Sequence, residues 1–349
     1  MKPITFELTT VTPVFMAGED GTSFELRPPS FKGLLRFWWR AAHWGQSQEN
    51  LSIEDIQQAE GDIFGTAASD GRKSNFSIRI SPTEFQGCKT PLPYHKILGQ
   101  RQGKTFPPNI LDYLAHGTYD FKTKTFHREY LKQGEQFTLK FKPSSDKVAK
   151  DIITSVYFLV VFGGIGAKSR NGFGSLAVTN PEIFAEYNLP YPFPDKTFFD
   201  NRVQNQNLPP FTAFSAYRNE QGKYGMKIFK LKNPSSSWDT CLAELGTIYR
   251  EAKNRLKRKH EYEKRQYISA PIIAGKQQQS FSDRHAKPYF LRVVKNADGA
   301  FDGYILYLPS EYSEGVPQKG DAEEHTPKFL KYCDEFNNHL AAQMGVYYG

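Results

Sequence analysis

Pro28-Pro29-Ser30-Phe31-Lys32-Gly33-Leu34-Leu35-Arg36-Phe37-Trp38-Trp39-Arg40-Ala41-Ala42-His43 is the stretch on which the reading of this chain turns. Two prolines close the extended segment before it, and Ser30 offers an N-cap hydroxyl to the free amides of the next turn. At helical spacing Phe31, Leu34, Leu35, Phe37, Trp38, Ala41 and Ala42 form one broad apolar arc. Lys32, Arg36, Arg40 and His43 form the opposite stripe, with Trp39 among them. Trp38 is therefore expected in the core and Trp39 exposed. An exposed tryptophan between cations can stack on a base while its neighbours hold phosphates. A solvated helix face is the plainer alternative. Gly33 weakens the first turn by roughly 0.5–1 kcal/mol, which close approach of a ligand to the helix N-terminus would justify.

Outward from this helix, Ile4 to Val11 alternates apolar and polar residues as a half-buried strand, and Thr12 to Arg27 is a loop. Ile53 to Glu60 is a short second helix, and Phe76 to Ile80 a second strand. Gly134 to Lys142 alternates strictly. Asp146 to Phe162 is a helix that becomes almost wholly apolar from Val156, and Leu176 to Val178 is a last short strand. Strand, helix, strand, strand, helix, strand is the ferredoxin-like plan, also used by RNA-recognition modules. Residues from Thr83 to Arg128 fit neither period and are rich in Pro and Gly, so they read as a long insertion.

The Pro- and Asn-rich stretch Pro181 to Pro210 is expected to connect two domains, 1–180 and 181–349. Beyond it, Met226 to Leu231, Tyr289 to Val294 and Tyr304 to Leu308 read as strands. Trp238 to Glu263 and Phe329 to Met344 read as helices, and Gln277 to Ser280 as a mobile loop. The cations from Lys253 to Lys264 read as a solvated helix end. The second half is thus a diverged copy of the first plan, an α+β chain overall.

With 349 residues and a net charge of +8, the chain is large enough for two domains and suits a polyanionic partner. Three scattered cysteines without CxxC spacing imply a reducing, cytoplasmic compartment and no zinc site. The N-terminus enters a strand directly, which argues against a signal peptide, and no apolar run approaches the ~20 residues of a membrane span.

Between the apolar helix and the last strand lies Gly163-Gly164-Ile165-Gly166-Ala167-Lys168-Ser169-Arg170-Asn171-Gly172-Phe173-Gly174-Ser175. Its glycines with Lys168 and Arg170 suggest a backbone that wraps phosphates. Simple helix-to-strand turns are the alternative. It lacks the glycine a P-loop needs before Lys-Ser, the third glycine of the dinucleotide fingerprint fails at Ser169, and both motifs lead into a helix rather than a strand. The eight histidines form no metal pattern, and there is no GxSxG elbow. His43 or His285 could act as base in a metal-free ribonuclease.

Arg27 to Ala41 strongly resembles the N-terminal motif of the RAMP-superfamily first subunit of the Cmr complex, the type III-B CRISPR RNA-guided effector. Ile63-Phe64-Gly65, Arg128-Glu129-Tyr130-Leu131, the glycine loop and Arg284 to Val294 fit the same pattern in order. The resemblance implies two tandem ferredoxin-like RAMP domains. It implies a place at the crown end, beside the sixth Cmr subunit and the backbone subunits, holding the 3′ region of the guide RNA and the facing target RNA. It also implies no catalysis and no cofactor. The RNA-contact candidates are Lys32, Arg36, Trp39, Arg40, His43, Gly164, Gly166, Lys168, Arg170, Gly172, Gly174, Arg284 and His285. A metal-independent RAMP endoribonuclease is the alternative activity, and a bare protein scaffold a third reading.

Overall fold

The computed structural model describes residues 2–46, 52–67, 71–97, 109–120, 122–201, 212, 214, 225–256, 263–269, 273–274, 277–278, 286–312 and 321–349. In the first half, β1 (Ile4–Thr10), α1 (Pro28–Gln46), α2 (Ile53–Phe64), β2 (Phe76–Ser81), β3 (Gln136–Pro143), α3 (Asp146–Phe162) and β4 (Leu176–Val178) follow in turn. The strands lie in the order β2-β3-β1-β4, all antiparallel. The period-two pattern sets the register. Phe6 faces Leu139 and Leu8 faces Phe137, so one side of the sheet is apolar and packs under the helices.

The second half repeats the plan with β5 (Lys227–Lys230), α4 (Trp238–Arg255), β6 (Tyr289–Lys295), β7 (Phe301–Tyr307), α5 (Asp321–Gln343) and β8 (Gly345–Tyr348). Its order, β6-β7-β5-β8, is the same permutation. This is the ferredoxin-like arrangement twice over. Strand β8 escapes a sequence reading because four residues give no measurable period. α4 stops at Arg255, short of the expected Glu263, and a separate helix occupies Glu263–Ser269. Gln277–Gln278 pairs with Ile273–Ala274 in a two-stranded ladder where a mobile loop was expected.

α1 begins at Pro28, two residues before the expected cap. Proline's fixed φ and missing N–H suit a first helical turn, so the prolines start this helix and Ser30 lies inside it. Trp38 is 2% exposed, as expected, but Trp39 is 3% exposed and is also core. The causes are α2 and α3, whose docking on α1 covers the face that an isolated helix would show to solvent. Trp39 is enclosed by Phe64, with ring centroids 6.4 Å apart, and stacks on His43 at 4.5 Å.

The insertion is docked onto the second half. Asn109 caps the short helix Ile110–Leu114, and a Cβ at Gly246 of α4 would lie 2.7 Å from Leu114 Cδ1. His95 Nε2 meets Asp239 Oδ2 at 2.8 Å, and Asn171 Nδ2 donates to the Leu114 carbonyl at 2.7 Å.

The two halves share core. Phe290 of β6 lies 5.5 Å from Trp38 and 6.2 Å from Phe37, ring centre to ring centre. Arg292 is 1% exposed and reaches across the seam. Its Nε donates to the Val161 carbonyl at 3.1 Å, and its Nη2 to those of Val160 and Leu176. The helix end of α3 is thus capped by a cation from the other sheet, where free carbonyls and the helix dipole attract positive charge. Burial pulls the Arg292 pKa down to about 9, which still leaves it charged near neutrality.

Arg292→Met should lower stability by about 1–3 kcal/mol for each carbonyl left without a donor. Trp38→Ala and Trp39→Ala should each cost roughly 3–5 kcal/mol. Denaturant unfolding checks all three, and a Trp39→Ala protein as stable as the parent would contradict the packing.

Candidate nucleic-acid interface

The glycine loop is shaped by the protein's own backbone. Gly166 has φ +77° and Gly174 φ +70°, both left-handed values that favour glycine. A Cβ at Gly166 would collide with the Phe15 carbonyl, and one at Gly174 with that of Ile165. At Gly164 it would lie 2.9 Å from the Phe173 carbonyl, and at Gly172 it would strike Leu242 of α4. The close approach at these positions is to protein atoms, so the helix-to-strand turns suffice to account for the glycines, and an RNA contact of Gly164, Gly166, Gly172 and Gly174 is a proposal that rests on the loop's cations.

These turns carry the loop's apex across the seam. The Leu291 amide donates to the Arg170 carbonyl at 3.1 Å, and Asn171 bridges Leu291. The Arg170 guanidinium lies 4.6 Å from the Phe290 ring centre and 5.5 Å from that of Phe37, and it donates to the Lys287 carbonyl. Burial lowers its pKa to about 10. Lys287 Nζ donates to the Arg170 carbonyl at 3.1 Å and to Asn171 Oδ1 at 2.7 Å, and lies 4.1 Å from the Tyr249 ring centre. Lys253 Nζ donates to the Tyr113 hydroxyl at 3.3 Å. Lys168, with φ +63°, lies beside Gly117 of the insertion and feels the charge of Arg128.

Among the described residues, none of Lys168, Arg170, Lys253 and Lys287 forms an ion pair with a carboxylate. Burial depresses the pKa of all three lysines. At Lys287 it acts together with the charges of Lys253, Arg170 and Lys168, and the value falls well below the ordinary one. Carbonyls, a phenol and ring faces solvate these cations without neutralising them. Such a cluster could accept an anion, and phosphate oxygens are acceptors of the right kind.

The α1 stripe is elsewhere and differs in character. Arg36 Nη1 pairs with Glu60 Oε1 at 2.8 Å, and Arg40 pairs with the other oxygen of the same carboxylate. Arg36 Nη2 also donates to the Phe64 carbonyl at 3.0 Å and to that of Gly65. These arginines hold α2 against α1 and line a cleft of about 500 Å³. Lys32 is half-buried near Arg36, and burial followed by that charge lowers its pKa. His43 lies under Trp39, where burial depresses its pKa against the raising effect of Asp151. Trp39 has no exposed ring face to offer a base. Arg284 and His285 lie outside the described residues.

The expected candidates therefore fall into separate places: Lys32, Arg36 and Arg40 along α1 and α2, Trp39 and His43 against α3, and Lys168 and Arg170 at the seam. Sequence reading missed Lys253 and Lys287. Lys253 follows Tyr249 by one helical turn, a signal that it flanks an aromatic rather than open water, whereas Lys287 lies within the Arg284 to Val294 motif but carries no periodic signal of its own.

Residues 7–177 match the RAMP superfamily. Two Pyrococcus furiosus proteins align with the chain. The CRISPR system Cmr subunit Cmr1-2 is 28% identical over 185 residues, 50% of this chain and 93% of that protein. Cmr subunit Cmr1-1 is 26% identical over 157 residues, 44% of this chain and 40% of that protein. The crystal structure of apo Cmr1 from Pyrococcus furiosus superposes with a TM-score of 0.59 at 19% identity, covering 99% of this chain and 98% of that one. A chain of the type III-B Cmr-beta complex bound to cognate target RNA and AMPPnP superposes with a TM-score of 0.50 at 13% identity, over 96% and 99%. By its RAMP-superfamily match, its aligned relatives and its fold over nearly the whole length, the chain is similar to Cmr1, the RAMP-superfamily first subunit of the type III-B CRISPR Cmr complex.

Proposed function

We propose that this chain is a non-catalytic RNA-binding subunit of a type III-B CRISPR Cmr effector complex. It holds the 3′ region of the guide RNA, the target RNA, or both at the crown end, and it meets the sixth Cmr subunit and the backbone subunit. The single observation that carries the reading is the seam cluster of Lys168, Arg170, Lys253 and Lys287, in which no described carboxylate balances the charge. A net charge of +8 adds long-range attraction for a polyanion. Arg36 and Arg40 contribute less, because Glu60 already satisfies them. The similarity to Cmr1 proteins supports the assembly and, with it, a cytoplasmic setting. His43 stacks on Trp39 and lies apart from the seam cluster, so cleavage itself decides the endoribonuclease alternative. Incubation with precursor guide RNA in EDTA should yield no discrete cuts.

Lys168→Gln with Lys253→Gln should weaken single-stranded RNA binding and reduce the salt slope by about 1.4, at about 0.7 per phosphate contact. An unchanged slope in the folded double variant would contradict the reading.

The same cluster predicts a pH effect. The lysine pKa values are lowered in the free protein, and a bound phosphate raises them, so binding takes up protons. RNA affinity at constant salt should therefore fall as pH rises from the depressed lysine values toward the ordinary one. Lys287→Met should flatten that profile.

A further inference from the structure

A cavity of about 280 Å³ lies where α1, α2 and the first turns of α3 meet. Its wall includes Trp39, His43, Asp62, Lys147 and Asp151. Trp39 lies 4.5 Å from His43 with an interplanar angle of 15°, which fixes the imidazole plane against the larger ring. The Trp39 indole N–H, on a side chain only 3% exposed, has no acceptor in hydrogen-bond geometry, although it helps to stabilise the Asp151 charge. The Asp62 carboxylate is already held by Arg72. Asp151 forms no described ion pair, and burial raises its pKa against the opposing effects of Trp39, His43, Lys147 and Lys150.

The Asp151 carboxylate disfavours a phosphate here: with Asp62 held by Arg72, the cavity wall offers Asp151, which has no described ion pair, and the Lys147 ammonium, and burial favours neutral His43. An ionised carboxylate is acceptor-only and takes N–H donors. The volume suits one planar ring system with a little water and is too small for a base pair. We propose that this cavity receives one unpaired guanine of the bound RNA, whose N1–H and N2–H₂ donate to the Asp151 carboxylate. Guanine is the base that presents two adjacent donors on its pairing edge, and the part-exposed imidazole of His43, backed by the buried Trp39, is the ring that would lie against it. Lys147, on the same cavity wall, would be the donor to the O6 and N7 acceptors. This assignment rests on the RNA-binding reading and adds a base preference to it.

The test compares single-stranded oligouridines that carry one central guanine, one inosine, or no substitution. The guanine oligomer should bind about tenfold more tightly than oligouridine, and inosine, which lacks the 2-amino group, should lose most of that gain. Asp151→Asn should remove the guanine advantage while oligouridine binding persists. Equal binding of the three oligomers by the unaltered protein would overturn the proposal and leave the seam reading standing. That is also the outcome if the cavity instead accepts an arginine from a partner protein. Failure of all three to bind would overturn the RNA reading and this proposal together.

Discussion

The C-terminal carbonyls of α3 have no partners within their own helix, and Arg292 of the second sheet supplies them. This contact sets the relation of the two halves. The loop that leaves α3 starts at Gly163, where a Cβ would strike the Trp38 indole, so α1, α3 and the loop are locked at one point. From there the chain must return to β4, and the glycines sit where its backbone passes the Phe15 and Ile165 carbonyls. The apex reaches Leu291, the residue next to Arg292. Helix cap, loop and β6 thus form one joint.

Two sets of cations meet different fates on this scaffold. Arg36 and Arg40 share Glu60 and fasten two helices together. The seam lysines are held by carbonyls, a phenol and aromatic faces, which tolerate positive charge without cancelling it. A set of the first kind contributes little to recognition, because a phosphate would have to compete with a carboxylate already in place. A seam of the second kind would gain by accepting an anion. The functional reading follows from what lies beside the cations rather than from their number.

The insertion fits the same logic. It joins the second half through the helix Ile110–Leu114 and the His95–Asp239 pair, and it brings Tyr113 to Lys253 and Gly117 to Lys168. A segment without periodicity thus builds part of the cation site. Its role could not be read along the chain, because each of its contacts lies far away in sequence.

Alternation in β1 and β3, the apolar arc of α1 and the apolar run of α3 were enough to state the ferredoxin-like order, since burial of one face dictates those periods. The motif Arg27 to Ala41 carried the RAMP resemblance. The burial of Trp39 was beyond local reading, because helical phase reports which residues share a face and not what will cover that face. The glycine loop was legible as a place of close approach, but whether a phosphate or the Phe15 carbonyl comes close depends on which strand lies opposite. Lys287 and Lys253 are unremarkable in sequence and meet only when β6 and α4 pack. Periodicity and composition determine what a segment will bury, and tertiary packing alone decides which charges end up side by side, because electrostatic partners are chosen by distance in space.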